Sequence, residues 1–333
     1  MHVALIGAGS WGTALALVLN ENKHQVACWT IDEDTINDVR TKGENAKYLP
    51  GIPVPKNILF SSDLKEVIKG AELIVNAVPS QVTRKALPQV SKYSEAQKAI
   101  WVTVSKGIEN NTYLRISQVI HEVGGVAEDK IVALSGPSHA EEVGRKIPTA
   151  VVTASSSLES AKIVQQAFMT PYFRVYASDD VIGVELGGAL KNIIALAAGI
   201  CDGAGFGDNT KAALMTRGLV EIQRLGVKMG AKKETFSGLS GVGDLIVTCM
   251  SRHSRNRHVG EEIGKGRKLQ EILDEMVMVA EGVKTTISAY ELAQKYNVEM
   301  PITEQIYLTL FENKSPHQAM VDLMTRSSKV EHY

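Results

Sequence analysis

Cysteine is scarce in this chain: Cys28, Cys201 and Cys249 are the only three among 333 residues. They stand far apart with no CxxC spacing, which argues against a disulfide framework or a thiolate zinc site and fits a reducing cytoplasm. Proline is also sparse, at 10 residues, and no Pro/Ser-rich stretch marks a linker. An excess of either charge is missing as well. Lys and Arg number 36 against 37 Asp and Glu, a formal net charge of −1, so no global field draws the chain to nucleic acid or an anionic membrane. Any anion site has to be local. No apolar run reaches the roughly 18 residues of a membrane span, Ile193 to Ile200 coming nearest. The strand pattern begins at His2 with no basic and apolar segment ahead of it, so no cleaved signal peptide is expected.

What is present is ordinary globular composition, 44% hydrophobic and 22% charged, in a chain long enough for two domains of about 100–200 residues each. The first half alternates short runs of β-branched residues with amphipathic segments, the signature of βαβ units on a parallel sheet. Strands are expected at His2–Ile6, Gln25–Thr30, Glu72–Ala77, Ala99–Val104, Lys130–Leu134, Thr149–Thr153 and Arg174–Tyr176. Helices are expected between them at Gly12–Asn22, Asp34–Lys42, Asp63–Ile68, Gln81–Val90, Thr112–Val123 and Ser157–Phe168, with Asp63 and Ser157 as caps.

From Val181 onward strand patterns fade and helical spacing takes over, at Val184–Ala198, Thr210–Gly230, Arg255–Gly264, Leu269–Met276, Lys284–Lys295, Pro301–Glu312 and Pro316–Thr325. The expected fold is therefore α/β: an N-terminal Rossmann-type, mostly parallel sheet over residues 1–180, followed by an all-helical domain over 181–333. Segments 201–209, 237–244 and 251–258 read as loops, and a site is expected between the domains.

The first strand runs straight into Gly7-Ala8-Gly9-Ser10-Trp11-Gly12 and a helix, the context a dinucleotide turn requires. Gly7 makes the tight turn, Gly9 lets backbone approach the pyrophosphate, and Gly12 lets helix pack on strand, while the helix N-terminus offers free N–H groups. Trp11 reads equally as a packing residue. Asp32 stands after the second strand, where an acidic residue holds the adenosine ribose hydroxyls; Glu33 and Asp34 read as solvated acids, with Asp34 capping the next helix. The window Cys28–Val39 offers no Lys or Arg for a 2′-phosphate, so NAD(H) is expected over NADP(H).

Three further strands end in polar turns, Ala77–Ser80, Val104–Gly107 and Ser135–Ser138, the last containing Gly136. Lys106 in the second of these serves a substrate oxygen or phosphate, or is a surface lysine. Lys191 lies on a helix of small and apolar residues; burial there lowers its pKa and readies it for proton exchange near neutrality, unless it reaches the rim or pairs with Glu185. Asp244, Ser254, Arg255 and Asn256 bring a carboxylate, a hydroxyl, a guanidinium and an amide. Arg255 reads as a bidentate phosphate ligand or as part of a solvated basic loop. His253 and His258 lack the HExxH arrangement of a zinc site.

Together these residues resemble the NAD(P)-dependent glycerol-3-phosphate dehydrogenases, from Gly7 to about Thr285. The run Gly188–Ala195 through Gly203, Gly207, Asn209 and Thr210 is similar to the family signature. The likeness extends to Glu44–Gly51, Ser105–Gly107, Ser135–Ala140, Gly243–Leu245, Ser254–Asn256 and Val279–Gly282. The resemblance implies reversible reduction of dihydroxyacetone phosphate, a phosphorylated triose, to sn-glycerol 3-phosphate for glycerophospholipid synthesis, and it favours a homodimer, in the cytoplasm that the cysteine usage fits. It implies Lys191 as general acid/base and substrate contacts from Lys106, Gly136, Ser138, Lys191, Asp244, Ser254, Arg255 and Asn256. It implies cofactor contacts from Ser10, Trp11, Tyr48, Lys106, Ala140, Arg255, Val279 and Glu281, beside Gly7, Gly9, Gly12 and Asp32. Many bacterial members carry a basic residue where this chain has Ile31-Asp32, a departure that agrees with NAD(H). The rivals are a dehydrogenase of hydroxyacids or sugar acids and a nicotinamide-sensing protein without turnover.

Overall fold

The computed structural model describes residues 1–328, 330 and 331; Lys329, His332 and Tyr333, at the end of the expected 181–333 domain, lie outside the described residues. Ten strands form: β1 His2–Ile6, β2 Gln25–Trp29, β3 Glu44–Asn45, β4 Leu49–Pro53, β5 Leu59–Ser61, β6 Leu73–Asn76, β7 Ile100–Thr103, β8 Ile131–Ser135, β9 Thr149–Ala154 and β10 Phe173–Ser178. Eight of them make one sheet in the order β10-β9-β8-β7-β6-β1-β2-β5, while β3 and β4 pair as a hairpin. Every pairing in the large sheet is parallel except β8 with β9. Helices cover both faces, which is why β6 and β8 are buried throughout rather than alternating and are apolar up to their last residues, Asn76 and Ser135.

The chain leaves β1 toward β2 and returns on its other side at β6, so strand order reverses there. The carboxyl ends of β1, β2 and β6 consequently open a crevice, the usual ligand site of such sheets. The seven expected strands all form. The unforeseen β3, β5 and the five-residue helix Ala140–Gly144 are too short for periodicity to reveal. Asp63 and Ser157 cap their helices as expected, accepting from Lys65 N–H at 2.9 Å and Ser160 N–H at 3.3 Å. The helix expected from Thr112 instead begins at Ile116, because Asn111 and Tyr113 take left-handed backbone in a turn before it.

Beyond Asp180 the described residues are helical and contain no strand. The helix Val181–Gly203 runs through the centre, capped by Asp180, and is surrounded by helices Asp208–Lys228, Asp244–Met250, Arg255–Gly264 and Glu281–Tyr296. The helix Asp244–Met250 and the helical turn 239–243 before it correct the expected loop 237–244. The central helix is long and apolar enough to cross a membrane, which corrects the shorter estimate of Ile193–Ile200; 83% of its most apolar window is buried inside the protein.

Glycine makes this close packing possible. A Cβ added at Gly199 would lie 2.0 Å from the carbonyl oxygen of Arg257, and one at Gly260 would lie 2.1 Å from that of Leu196. The two helices therefore touch backbone to backbone, which brings the segment Ser254-Arg255-Asn256 against the helix of Lys191. Gly199→Ala is expected to force these backbones apart at a cost of about 1–3 kcal/mol. A lowered thermal midpoint in calorimetry checks this, and an unchanged midpoint refutes the contact.

Candidate active site

The nucleotide end is built by β1 and the helix Ser10–Glu21. Gly7 has φ +108°, and a Cβ there would meet the carbonyl carbon of Ala77 at 2.9 Å; one at Gly12 would meet the Gly7 carbonyl oxygen at 2.0 Å. Gly9 faces open space, with nothing within 4 Å of an added Cβ. Gly9 also caps the helix with no side chain of its own, so Ser10 and its neighbours keep free first-turn N–H groups aimed at the cleft. The indole Nε1 of Trp11 is buried without a partner among the described residues, and the side chain lines the cleft. A free helix end, a backbone cradle and an unpaired donor fit a dinucleotide pyrophosphate. The cleft they open into has a volume of about 590 Å³ and is lined by residues of both halves.

The surroundings of Asp32 differ from expectation in two ways. Asp32 itself, not Asp34, caps the helix Glu33–Lys42, its Oδ1 accepting from Thr35 N–H at 3.3 Å. Its Oδ2 accepts from Lys47 Nζ at 2.6 Å and from Tyr48 O–H at 2.9 Å. The hydrogen bond from Lys47 leads the effects that hold the Asp32 carboxyl below its usual range. The expected absence of any cation at this corner is therefore corrected: Lys47 arrives from the β3–β4 hairpin, outside the local window.

At the other end, Asp244 opens the helix Asp244–Met250 with only 1% of its side chain exposed. Its Oδ2 lies 2.7 Å from Lys106 Nζ and its Oδ1 lies 3.1 Å from Lys191 Nζ. Lys106 also donates to the Gly136 carbonyl at 2.8 Å, an oxygen that Ser138 Oγ reaches at 2.9 Å. Lys191 donates to Thr248 Oγ1 at 2.6 Å, and that hydroxyl donates to the Asp244 carbonyl. Two ammonium groups thus share one buried carboxylate. Burial lowers the Lys191 pKa to about 8 against the pull of Asp244. Burial would raise Asp244, but Lys106 and Lys191 outweigh it and hold the carboxyl low. The structure favours neither alternative for the lysines: Lys106 is partly buried in the cleft wall and paired with Asp244, and Glu185 is taken by Arg115 at 2.5 Å rather than by Lys191.

Arg255 begins the helix Arg255–Gly264 beside this cluster. It is partly buried and makes no hydrogen bond or ion pair among the described residues, and desolvation pulls its pKa down. A fully solvated loop charge would not show that desolvation. Ser254 caps the helix through its Oγ, which accepts from Arg257 N–H at 3.2 Å. Asn256 departs from its expected part: its Nδ2 donates to Asn192 Oδ1 at 2.9 Å and its Oδ1 accepts from Gly282 N–H at 2.9 Å. It ties three elements together and has one N–H left to offer. Glu281, pushed up by burial, accepts from Ser80 N–H at 2.8 Å and so joins the two halves across the cleft. Ala140 and half-exposed Val279 line the same cleft.

Comparison with known proteins decides the family. Residues 2–161 match the model described as NAD-dependent glycerol-3-phosphate dehydrogenase N-terminus, and residues 180–321 match its C-terminus. The chain belongs to this family. It is 54% identical over 329 residues to the glycerol-3-phosphate dehydrogenase (NAD(P)+) of Bacillus velezensis, covering 97% of this chain and 94% of the relative. With the enzyme of the same name from Chlorobium phaeobacteroides it shares 51% over 332 residues and 99% of each chain. The crystal structure of the Coxiella burnetii glycerol-3-phosphate dehydrogenase superposes with a TM-score of 0.91 at 38% identity, covering 97% of this chain and 98% of that one.

In this glycerol-3-phosphate dehydrogenase family member, four cleft-side groups had no role in the sequence reading. Lys47 and Thr248 carry no local signal, because each matters only through a partner distant in sequence. Asn192 reveals its part only through its bonds to Lys106 and Asn256. His139 is pushed down to about 4 by burial and then by Lys191, so its ring is neutral and its Nε2 has no partner among the described residues.

Proposed function

We propose that the chain catalyses reversible NAD(P)H-dependent reduction of dihydroxyacetone phosphate to sn-glycerol 3-phosphate, the precursor of glycerophospholipids. The observation that carries this reading is the shared Asp244 between Lys106 and Lys191, in one cleft with unpaired Arg255 and the dinucleotide turn. Residues 1–180 hold the cofactor and residues 181–333 supply most of the substrate side.

When bound, the reduced nicotinamide supplies hydride to the ketone carbon. Lys191 then gives its proton to the developing alkoxide, so a ketone, a hydride and a proton become a secondary alcohol; the reverse reaction starts from neutral Lys191. Asp244 holds the ammonium in place, and Lys106 polarises the same substrate oxygen. Arg255 grips the phosphate, and that remote binding fixes the carbonyl for attack. Ser138 and Ser254 hydroxyls, the Gly136 backbone and the spare N–H of Asn256 complete the substrate contacts. Ser10, Trp11, Tyr48, Ala140, Val279 and Glu281 flank the cofactor, for which Lys106 and Arg255 also lie within the same cleft.

NADH is the preferred reductant in this reading, since Asp32, Glu33 and Asp34 together oppose a 2′-phosphate. A cytoplasmic site is supported by three buried, unpaired cysteines. A homodimer is proposed from the family resemblance alone, and sedimentation measures it.

The deciding experiment follows loss of the reduced-nicotinamide absorbance with dihydroxyacetone phosphate and, separately, with 2-oxoacids. Turnover of the phosphorylated triose alone supports the proposal, turnover of the oxoacids alone supports the hydroxyacid rival, and cofactor binding without turnover supports a sensor. A further consequence concerns Asp244. Asp244→Asn removes the counter-charge from two buried ammonium groups, so the Lys191 pKa falls by about 1–3 units more. The kcat of reduction should then begin its high-pH decline at correspondingly lower pH; an unmoved limb would show that Asp244 does not set the proton donor.

A further inference from the structure

The β3–β4 hairpin brings Lys47 and Tyr48 to the carboxyl end of β2, where the carboxylate after the second strand faces the adenosine ribose in sheets of this type. Asp32 offers little free capacity there. One oxygen caps its own helix, and the other holds Lys47 Nζ at 2.6 Å and Tyr48 O–H at 2.9 Å. The corner therefore carries a neutral ion pair instead of a bare carboxylate.

The pair is also built to open. The Lys47 side chain is 40% exposed while that of Asp32 is 16% exposed, so the lysine can turn outward at the cost of the ion pair and of its contact with the Tyr48 ring, 5.2 Å from Nζ to the centroid. The cations of the helix that Asp32 caps, Arg40 and Lys42, sit in its last turn, about 12–15 Å along its axis at 1.5 Å per residue. Lys42 is moreover held by Asp38 at 2.7 Å. Facing Lys47 on the acidic side are Asp32 and, in the first turn, Glu33 and Asp34.

We propose that Lys47 determines how well this chain accepts the 2′-phosphate of NADPH, staying on Asp32 when the ribose carries a hydroxyl and turning to the phosphate when it carries one. The inference rests on the dehydrogenase reading. A 2′-phosphate brings roughly 1.5–2 negative charges beside three carboxylates, and a charge-assisted bond from Lys47 is what offsets them. NADPH is then a usable reductant, second to NADH, in a chain that lacks a basic residue directly after β2. If Lys47 merely neutralised Asp32, its removal would change NADH and NADPH binding together.

The test is calorimetric titration of the parent, Lys47→Gln and Lys47→Arg with NADH, NADPH, ADP and 2′,5′-ADP. In Lys47→Gln the ratio of the NADPH to the NADH dissociation constant should widen about tenfold or more, and the 2′,5′-ADP to ADP ratio should follow. Lys47→Arg should bring both ratios back to within about threefold of the parent, because the charge is kept. Asp32→Asn, which frees the lysine, should narrow the NADPH to NADH ratio, and adding Lys47→Gln should cancel that gain. Equal shifts for both members of each pair overturn the proposal, as do unchanged ratios or a parent that binds NADH and not NADPH. A parent that binds none of the dinucleotides refutes the dehydrogenase reading itself.

Discussion

Lys191→Ala is expected to lose roughly 10²–10⁴-fold in kcat while cofactor binding stays nearly intact, the range typical for removal of a general acid. The reason lies in what surrounds the amine. It sits on a buried helix, donates to Thr248 at 2.6 Å and lies 3.1 Å from Asp244. Lys106, the nearest alternative, is committed to the Gly136 carbonyl and to the other oxygen of Asp244. With its pKa lowered to about 8, Lys191 is mostly protonated at neutral pH and close enough to its midpoint to work in both directions. The sign of the pH dependence follows. Reduction needs the protonated amine and should fade as pH rises through about 8, whereas oxidation needs the neutral amine and should gain over the same interval. A folded variant that kept near-normal kcat would make Lys191 structural and move the proton donor to Lys106.

Arg255→Ala should cost about 2–5 kcal/mol in kcat/KM for dihydroxyacetone phosphate, as expected when a desolvated cation is removed from a charge-assisted phosphate contact. Arg255 is partly buried with no hydrogen bond or ion pair among the described residues, and its desolvation is a cost that an anion in the cleft would offset. The neighbouring helix N-terminus points the same way, with Ser254 satisfying only one of its free N–H groups. Dihydroxyacetone, which lacks the phosphate, is the control: a poor substrate for the parent and scarcely worse for the variant. Equal damage to both substrates would assign Arg255 to the domain interface or the cofactor. Asn256→Ala should damage both, because its amide already links Asn192 to Gly282.

Much of the architecture was legible in the residues because it is local. Short apolar runs rich in β-branched residues mark β1, β2 and β6–β10, helical spacing marks most of the second half, and Gly7-Ala8-Gly9-Ser10-Trp11-Gly12 marks the turn between β1 and its helix. Burial of Lys191 was legible too, since a helix without a polar face has nowhere to sit but the core. The hairpin β3–β4 and the helix Asp244–Met250 escaped because two to seven residues hold too few repeats of any period to stand out.

By itself, then, the sequence determined the α/β order, the dinucleotide turn and the placement of a lysine in an apolar helix, all consequences of patterns within a few residues. Only the tertiary structure decided which charges meet. Asp244 stands 138 residues from Lys106 yet contacts it and Lys191 at once, and Lys47 reaches Asp32 from a hairpin 15 residues away. Coulomb energy and desolvation depend on distance and surroundings in space, which chain spacing does not encode. That is why Asp32 read as a bare carboxylate in one dimension and is half of an ion pair in three.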